Sequence, residues 1–95
     1  MGYAGVMDID EALVGELRAR LRRVEGQIRG IQGMIESGRE CGDVVTQFAA
    51  AMKALEQAGF KYFAATLAEC ARDPQQAEAH GYTPEKLEKL FLQLA

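Results

Sequence analysis

The residues of this 95-residue chain best suited to chemistry are its two cysteines, Cys41 and Cys70, because a thiolate is both a nucleophile and a soft-metal ligand. They stand 29 residues apart, at the ends of a run that holds no proline, is rich in alanine and repeats Val45, Phe48, Met52, Leu55 and Tyr62 at helical steps. On a straight helix that separation is roughly 43 Å. A disulfide requires Cα atoms within about 7 Å, so the two thiols cannot meet within one chain. At about 100° per residue they nonetheless point within roughly 20° of the same direction. Two copies packed antiparallel therefore bring Cys41 of one beside Cys70 of the other, at two equivalent places. The plainer reading is that each is a small buried hydrophobe.

The elements that must position the thiols follow from periodicity and punctuation. Residues 1–7 read as a flexible tail, and Asp8 with Glu11 resembles a capping box that opens a first helix over about 8–37. Val14, Leu17, Leu21, Val24, Ile28, Ile31 and Ile35 advance in alternating steps of three and four, the seam of a heptad repeat. Gly26, Gly30 and Gly33 interrupt no part of that register and suggest close approach of another backbone, while Ser37-Gly38 reads as the stop. A second helix is expected over about 42–72, with Asp43 as its N-cap. The positive end of that helix and nearby Arg39 favour the anionic, reactive form of Cys41. Asp73-Pro74 breaks the pattern, a polar connector covers about 73–82, and Thr83-Pro84-Glu85 starts a short third helix over about 83–94 with Leu87, Leu90, Phe91 and Leu94 as its stripe. The fold class is all-α in a single domain, three helices per chain: long, long, short.

Composition bounds the function. No stretch approaches the ~18 apolar residues of a membrane helix, and the N-terminal residues lack the pattern of a secretory signal, which places the protein in the cytoplasm. Thiols stay reduced there, so a sensing or metal-binding pair is favoured over a structural disulfide. Net charge is −3, but residues 18–39 carry six arginines against Glu25 and Glu36, a local +4. Such a local field attracts a phosphate backbone, whatever the net charge. The competing reading is a solvated face with helix ion pairs such as Arg22 to Glu25. Without a Cys-x-x-Cys or a general base in the core, an enzyme of thiol-disulfide exchange is disfavoured. A purely structural helical oligomer is the remaining alternative.

The block Leu21-Arg22-Arg23-Val24-Glu25-Gly26-Gln27-Ile28-Arg29-Gly30-Ile31, then Met34-Ile35-Glu36, then Cys41-Gly42-Asp43-Val44-Val45-Thr46-Gln47 resembles the CsoR/RcnR repressors over about residues 13–71. The resemblance implies a dimer built as an antiparallel four-helix bundle, a disc-like homotetramer, and operator DNA binding without a helix-turn-helix, relieved by an inducer. Copper(I)-sensing members resemble one another in using a cysteine at the start of the second helix with a histidine and a cysteine four residues apart from the partner chain. Cys41 and Cys70 match that pattern, but Thr66 occupies the histidine position, and a hydroxyl is a poor ligand for a soft metal. Two cysteines without that histidine look like the persulfide-sensing, CstR-like branch, in which a reactive sulfur species links the thiols across the dimer.

The leading expectation is thus a repressor induced by reactive sulfur species, with no cofactor required. The alternative is a copper(I)-responsive repressor using the same two thiolates. The nickel, cobalt and formaldehyde branches are disfavoured, since they need the missing histidine and His80, in the connector, reads as a solvated loop residue. For DNA the candidates are Arg18, Arg20, Arg22, Arg23 and Lys53. Arg20 aligns with an arginine important for operator binding in relatives, and a second such arginine, on the second helix, aligns with Gln57.

Overall fold

A computed structural model describes residues 9–95, and among them the chain is wholly helical, in four elements: α1 Glu11–Glu36, α2 Cys41–Arg72, α3 Pro74–Ala79 and α4 Pro84–Leu94. The expected three helices become four because residues 73–82, read as a polar connector, hold α3. Asp73-Pro74 ends α2 but also restarts a helix: proline is tolerated at the first helical position, and the Asp73 carboxylate accepts a hydrogen bond from the Gln76 N–H at 3.2 Å. Asp8, half of the suggested capping box, lies outside the described residues. The N-cap of α1 is Asp10, without a side-chain cap.

Two sharp turns use glycine in the left-handed region. Gly38 has φ 73°, with Gly38 N–H donating to the Ile35 carbonyl at 3.2 Å and Arg39 N–H to Met34 at 2.9 Å. Gly81 has φ 89°, with the equivalent bonds to Glu78 and Ala77, both 2.9 Å. This double bond is the Schellman ending, which satisfies helix carbonyls that would otherwise lack partners. The first turn folds α1 back along α2, and Lys61 Nζ meets Glu16 Oε2 at 2.9 Å to fix the register. The Lys61 hydrogen bond, helped by Arg20, holds the Glu16 carboxyl below the usual carboxylate range. Its contribution to stability is therefore present above the unfolded carboxylate pKa and lost as pH falls through the lowered folded value.

The heptad seam of α1 splits into two rows. Leu17, Val24 and Ile31 are buried inside the hairpin, where α2 contributes Ala51 and Ala58, residues small enough to let the helices approach closely. Leu21, Ile28 and Ile35 remain 44%, 48% and 57% exposed. The α2 stripe of Val45, Phe48, Met52, Leu55 and Tyr62 is likewise uncovered. Gly26, Gly30 and Gly33 meet nothing within 4 Å at the position of a Cβ, so the close approach expected there is not made by this chain's own helices. A tight neighbour is found instead at Gly59, where a Cβ would lie 3.2 Å from the Leu94 side chain of α4, a side-chain contact and not a backbone approach. The Phe91 ring anchors α4 on α2 between Phe60 and Phe63, both centroids at 6.1 Å.

Ala58, 3% exposed, leaves no room for growth. Ala58→Leu is expected to cost about 1–3 kcal/mol through overpacking, measured as a lowered midpoint in denaturant followed by circular dichroism.

Candidate functional site

Cys41 is the first residue of α2 and is exposed, whereas Cys70 lies in its last turn and is buried. The thiols thus sit at opposite ends of a 32-residue helix. Among the described residues no group of three or more His, Cys, Asp or Glu could hold a metal ion within one chain. Burial pushes the Cys70 thiol up, and the neighbouring Glu69 charge adds to the shift. Glu69 is itself paired with Arg72.

The N-cap of α2 is Glu40, not Asp43. Its carboxylate accepts from Gly42 N–H at 2.9 Å and Asp43 N–H at 3.2 Å. These two bonds, with the Cys41 thiol as a further donor, hold the Glu40 carboxyl below its ordinary value. Arg39, expected to act on the thiol, instead reaches Asp43 at 3.5 Å. A carboxylate rather than a cation is therefore the charged group set against Cys41. Sequence reasoning missed Glu40 because aspartate is the stronger cap by propensity. The available signal was Gly42, since a Cβ there would lie 2.9 Å from Glu40 Oε1.

Thr66 is 5% exposed, and its hydroxyl donates to the Tyr62 carbonyl of its own helix at 3.2 Å. It faces a cavity of about 310 Å³ between α2 and α4, bounded by Tyr62, Phe63, Tyr82, Leu90 and Leu94 among others. The position that would carry a histidine in copper-sensing relatives is thus covered by the C-terminal helix and supplies no soft donor. His80, expected to be a solvated loop residue, is the exposed C-cap of α3, within hydrogen-bond distance of Gln76 (2.8 Å).

The arginine block falls on α1 away from the buried row. Arg18, Arg22, Arg23 and Arg29 are exposed and enter none of the ion pairs among the described residues, so the suggested Arg22 to Glu25 bridge is not formed. Arg18, Arg22 and Arg29 fall within about 40° of one another around the helix axis. Arg20 differs. It is half-buried and tied to Glu16 at 3.3 Å, on the side that meets Lys61. Lys53 and Gln57 are exposed on α2.

Residues 15–94 match the family model described as metal-sensitive transcriptional repressor. The chain is similar to the copper-sensing transcriptional repressor RicR of Mycobacterium tuberculosis, 47% identical over 51 residues, 54% of this chain and 53% of that protein. It is also similar to the copper-sensing transcriptional repressor CsoR of Bacillus subtilis, 44% identical over 41 residues, 43% of this chain and 41% of that protein. The matches therefore span about half the length of the relatives or less. No solved structure matches the chain at comparable significance. No helix among the described residues is long and apolar enough to cross a membrane. The family match covers most of the chain, from the arginine block through both thiols to α4, and on that basis the chain belongs to the metal-sensitive transcriptional repressor family.

Proposed function

We propose that this chain is an operator-binding repressor that acts as antiparallel pairs of copies and releases DNA when copper(I) joins Cys41 of one copy to Cys70 of the other. The observation that carries this reading is the uncovered apolar face along α2, which runs between exposed Cys41 at one end and Cys70, buried beneath its own chain, at the other. A second hairpin laid antiparallel on Ile28, Ile35, Phe48, Met52 and Leu55 covers that face and pairs the thiols in the same movement. Exposure supports such pairing. The uncovered residues are large and apolar, Leu21, Ile28 and Ile35 on α1 and Val45, Phe48, Met52, Leu55 and Tyr62 on α2, each at least 44% exposed. The resemblance to the CsoR/RcnR repressors further implies pairing of two dimers into a tetramer.

Cys41 and Cys70 fit copper(I) by donor softness: thiolates select it over harder cations. Bound there, the ion would supply a fixed link between the ends of two α2 helices. If the DNA-binding arrangement needs a different spacing of those helices, the link lowers operator affinity by population shift. The names of the two relatives favour copper over a sulfur species as the inducer. Thr66 favours the second reading, a repressor induced by persulfide, because its hydroxyl is engaged with the Tyr62 carbonyl and no third soft donor stands by. In that reading the Cys41 thiolate takes sulfane sulfur from a persulfide, releasing a thiol, and Cys70 of the second copy then displaces hydrosulfide to close a disulfide.

Operator binding by the reduced protein, titrated anaerobically with copper(I) under a strong competitor and separately with polysulfide, separates the two. Release by copper(I) alone supports the first reading, release by polysulfide with a cross-linked dimer on denaturing mass analysis supports the second, and no binding to duplex DNA removes both. The arginine row makes its own prediction. Arg22→Ala is expected to weaken binding to any duplex and to lower the slope of log K against log salt by about one for each copy that grips the duplex, read by fluorescence anisotropy, with helicity unchanged.

A further inference from the structure

Each thiol has a carboxylate beside it, Glu40 at Cys41 and Glu69 at Cys70. Most of the surrounding charge is compensated: Glu69 pairs with Arg72 and Asp43 with Arg39. Glu40 enters none of the ion pairs among the described residues, so no side-chain cation offsets its charge at the exposed thiol, and only the backbone N–H groups of the first turn do so in part. It is also fixed in place. Gly42 and Asp43 N–H groups grip the two carboxylate oxygens at 2.9 and 3.2 Å, and the missing side chain at Gly42 provides the space the carboxylate fills. A glutamate free to swing into solvent would give Cys41 little field, whereas one clamped on the first turn acts from a constant position.

We propose that Glu40 is a specificity-determining residue that sets the charge class of what reaches Cys41, admitting cations and neutral reagents and disfavouring anions. The proposal rests on Cys41 being the inducer thiol and extends that reading to regulation. A soft monocation approaches a site that already carries negative charge to offset it. An anionic sulfur species, such as a hydropersulfide ion or a polysulfide, approaches against the same charge. For unit charges about 5 Å apart in a water-like dielectric the discrimination is about fourfold, and it shrinks as salt shortens the screening length.

Paired alkylating reagents test this on the reduced chain. Iodoacetamide is neutral and iodoacetate anionic. Both form the same kind of S–C bond at the thiolate and expel iodide, so the ratio of their rates cancels the fraction of thiol ionised. Mass analysis of the Cys41 peptide keeps the buried Cys70 out of the measurement. Glu40→Gln is expected to raise the iodoacetate-to-iodoacetamide ratio about fourfold at low salt, with the difference from wild type closing near 1 M salt. Glu36→Gln removes the same charge from the last residue of α1 and should leave the ratio near the wild-type value. An unchanged ratio in Glu40→Gln, or an equal rise in Glu36→Gln, would overturn the proposal. Glutamine keeps an acceptor oxygen for the cap, and circular dichroism verifies the fold. If that variant does not fold, the wild-type ratio measured against that of an unstructured cysteine peptide across the same salt range decides the matter. A deficit for iodoacetate that disappears with salt supports the role of Glu40, and parity at low salt rejects it. Neither copper nor DNA enters the experiment, so failure of copper(I) to release the operator and failure of this proposal are separate results.

Discussion

Replacing Cys41 by serine is expected to leave operator binding by the reduced protein intact while abolishing its relief by copper(I). Cys41 is exposed at the first position of α2, where serine is compatible with helix initiation and the Glu40 cap makes its bonds to Gly42 and Asp43 regardless of the side chain between them. The fold should therefore survive. The proposed donor set does not, since exchanging thiolate for hydroxyl removes one of only two soft ligands at each proposed composite site. Symmetry carries the loss to both sites of a dimer. Copper(I) affinity, measured against a chromogenic competitor without oxygen, should fall by more than about a hundredfold, beyond the range seen when only supporting residues are altered. Cys70→Ser should behave alike despite lying at the far end of the helix. Retention of wild-type copper response by either variant would rule out a shared site.

Ile28→Glu is expected to leave a folded single chain in place of the proposed pair. Ile28 lines a groove of about 340 Å³ with Ile31, Ile35, Phe48, Met52 and Leu55, yet is 48% exposed within its own hairpin. A glutamate there is well solvated as long as the hairpin is alone. In the proposed pair it becomes a charge in an apolar interface, at about 3 kcal/mol or more. Two-fold symmetry counts that cost twice, so the dissociation constant should rise by roughly four orders of magnitude. Sedimentation equilibrium reads the change, and circular dichroism should still report helix, because the Leu17, Val24 and Ile31 row is untouched. An unaltered oligomer would place the interface elsewhere. Loss of operator binding along with the dimer would further show that DNA is gripped by more than one copy.

The contrast between Ile28 and Val24 shows how much of the architecture was legible beforehand. Both belong to the same heptad seam, and periodicity assigns them the same face. In the structure Val24 is 4% exposed and Ile28 is 48% exposed, because a hairpin of two helices covers only one row of a two-row seam. Nothing local distinguishes the rows; the row that is covered is buried together with the small residues Ala51 and Ala58 of α2. The connector shows a different kind of miss. Asp73-Pro74 was legible as the end of α2, yet the same two residues satisfy the requirements for a helix start, and α3 forms there. At the thiol, propensity named Asp43 as cap, and a longer side chain one residue before Cys41 reached the same backbone groups.

By itself the sequence determined the helical class, the opposite placement and common phase of Cys41 and Cys70, the basic segment on the first helix and the absence of a soft donor at Thr66. These are properties of one helix axis and of residue chemistry, and a periodic pattern is enough to specify them. Only the tertiary structure decided that Cys70 is buried while Cys41 is open, that Arg20 is tied to Glu16 while Arg18, Arg22, Arg23 and Arg29 stay outside the ion pairs, that α4 lies over Thr66, and that Glu40 is clamped against the exposed thiol. Those outcomes depend on which neighbour covers each direction. A direction around a helix can be read from spacing, but its occupant is chosen by close packing and hydrogen bonding between elements distant in the chain.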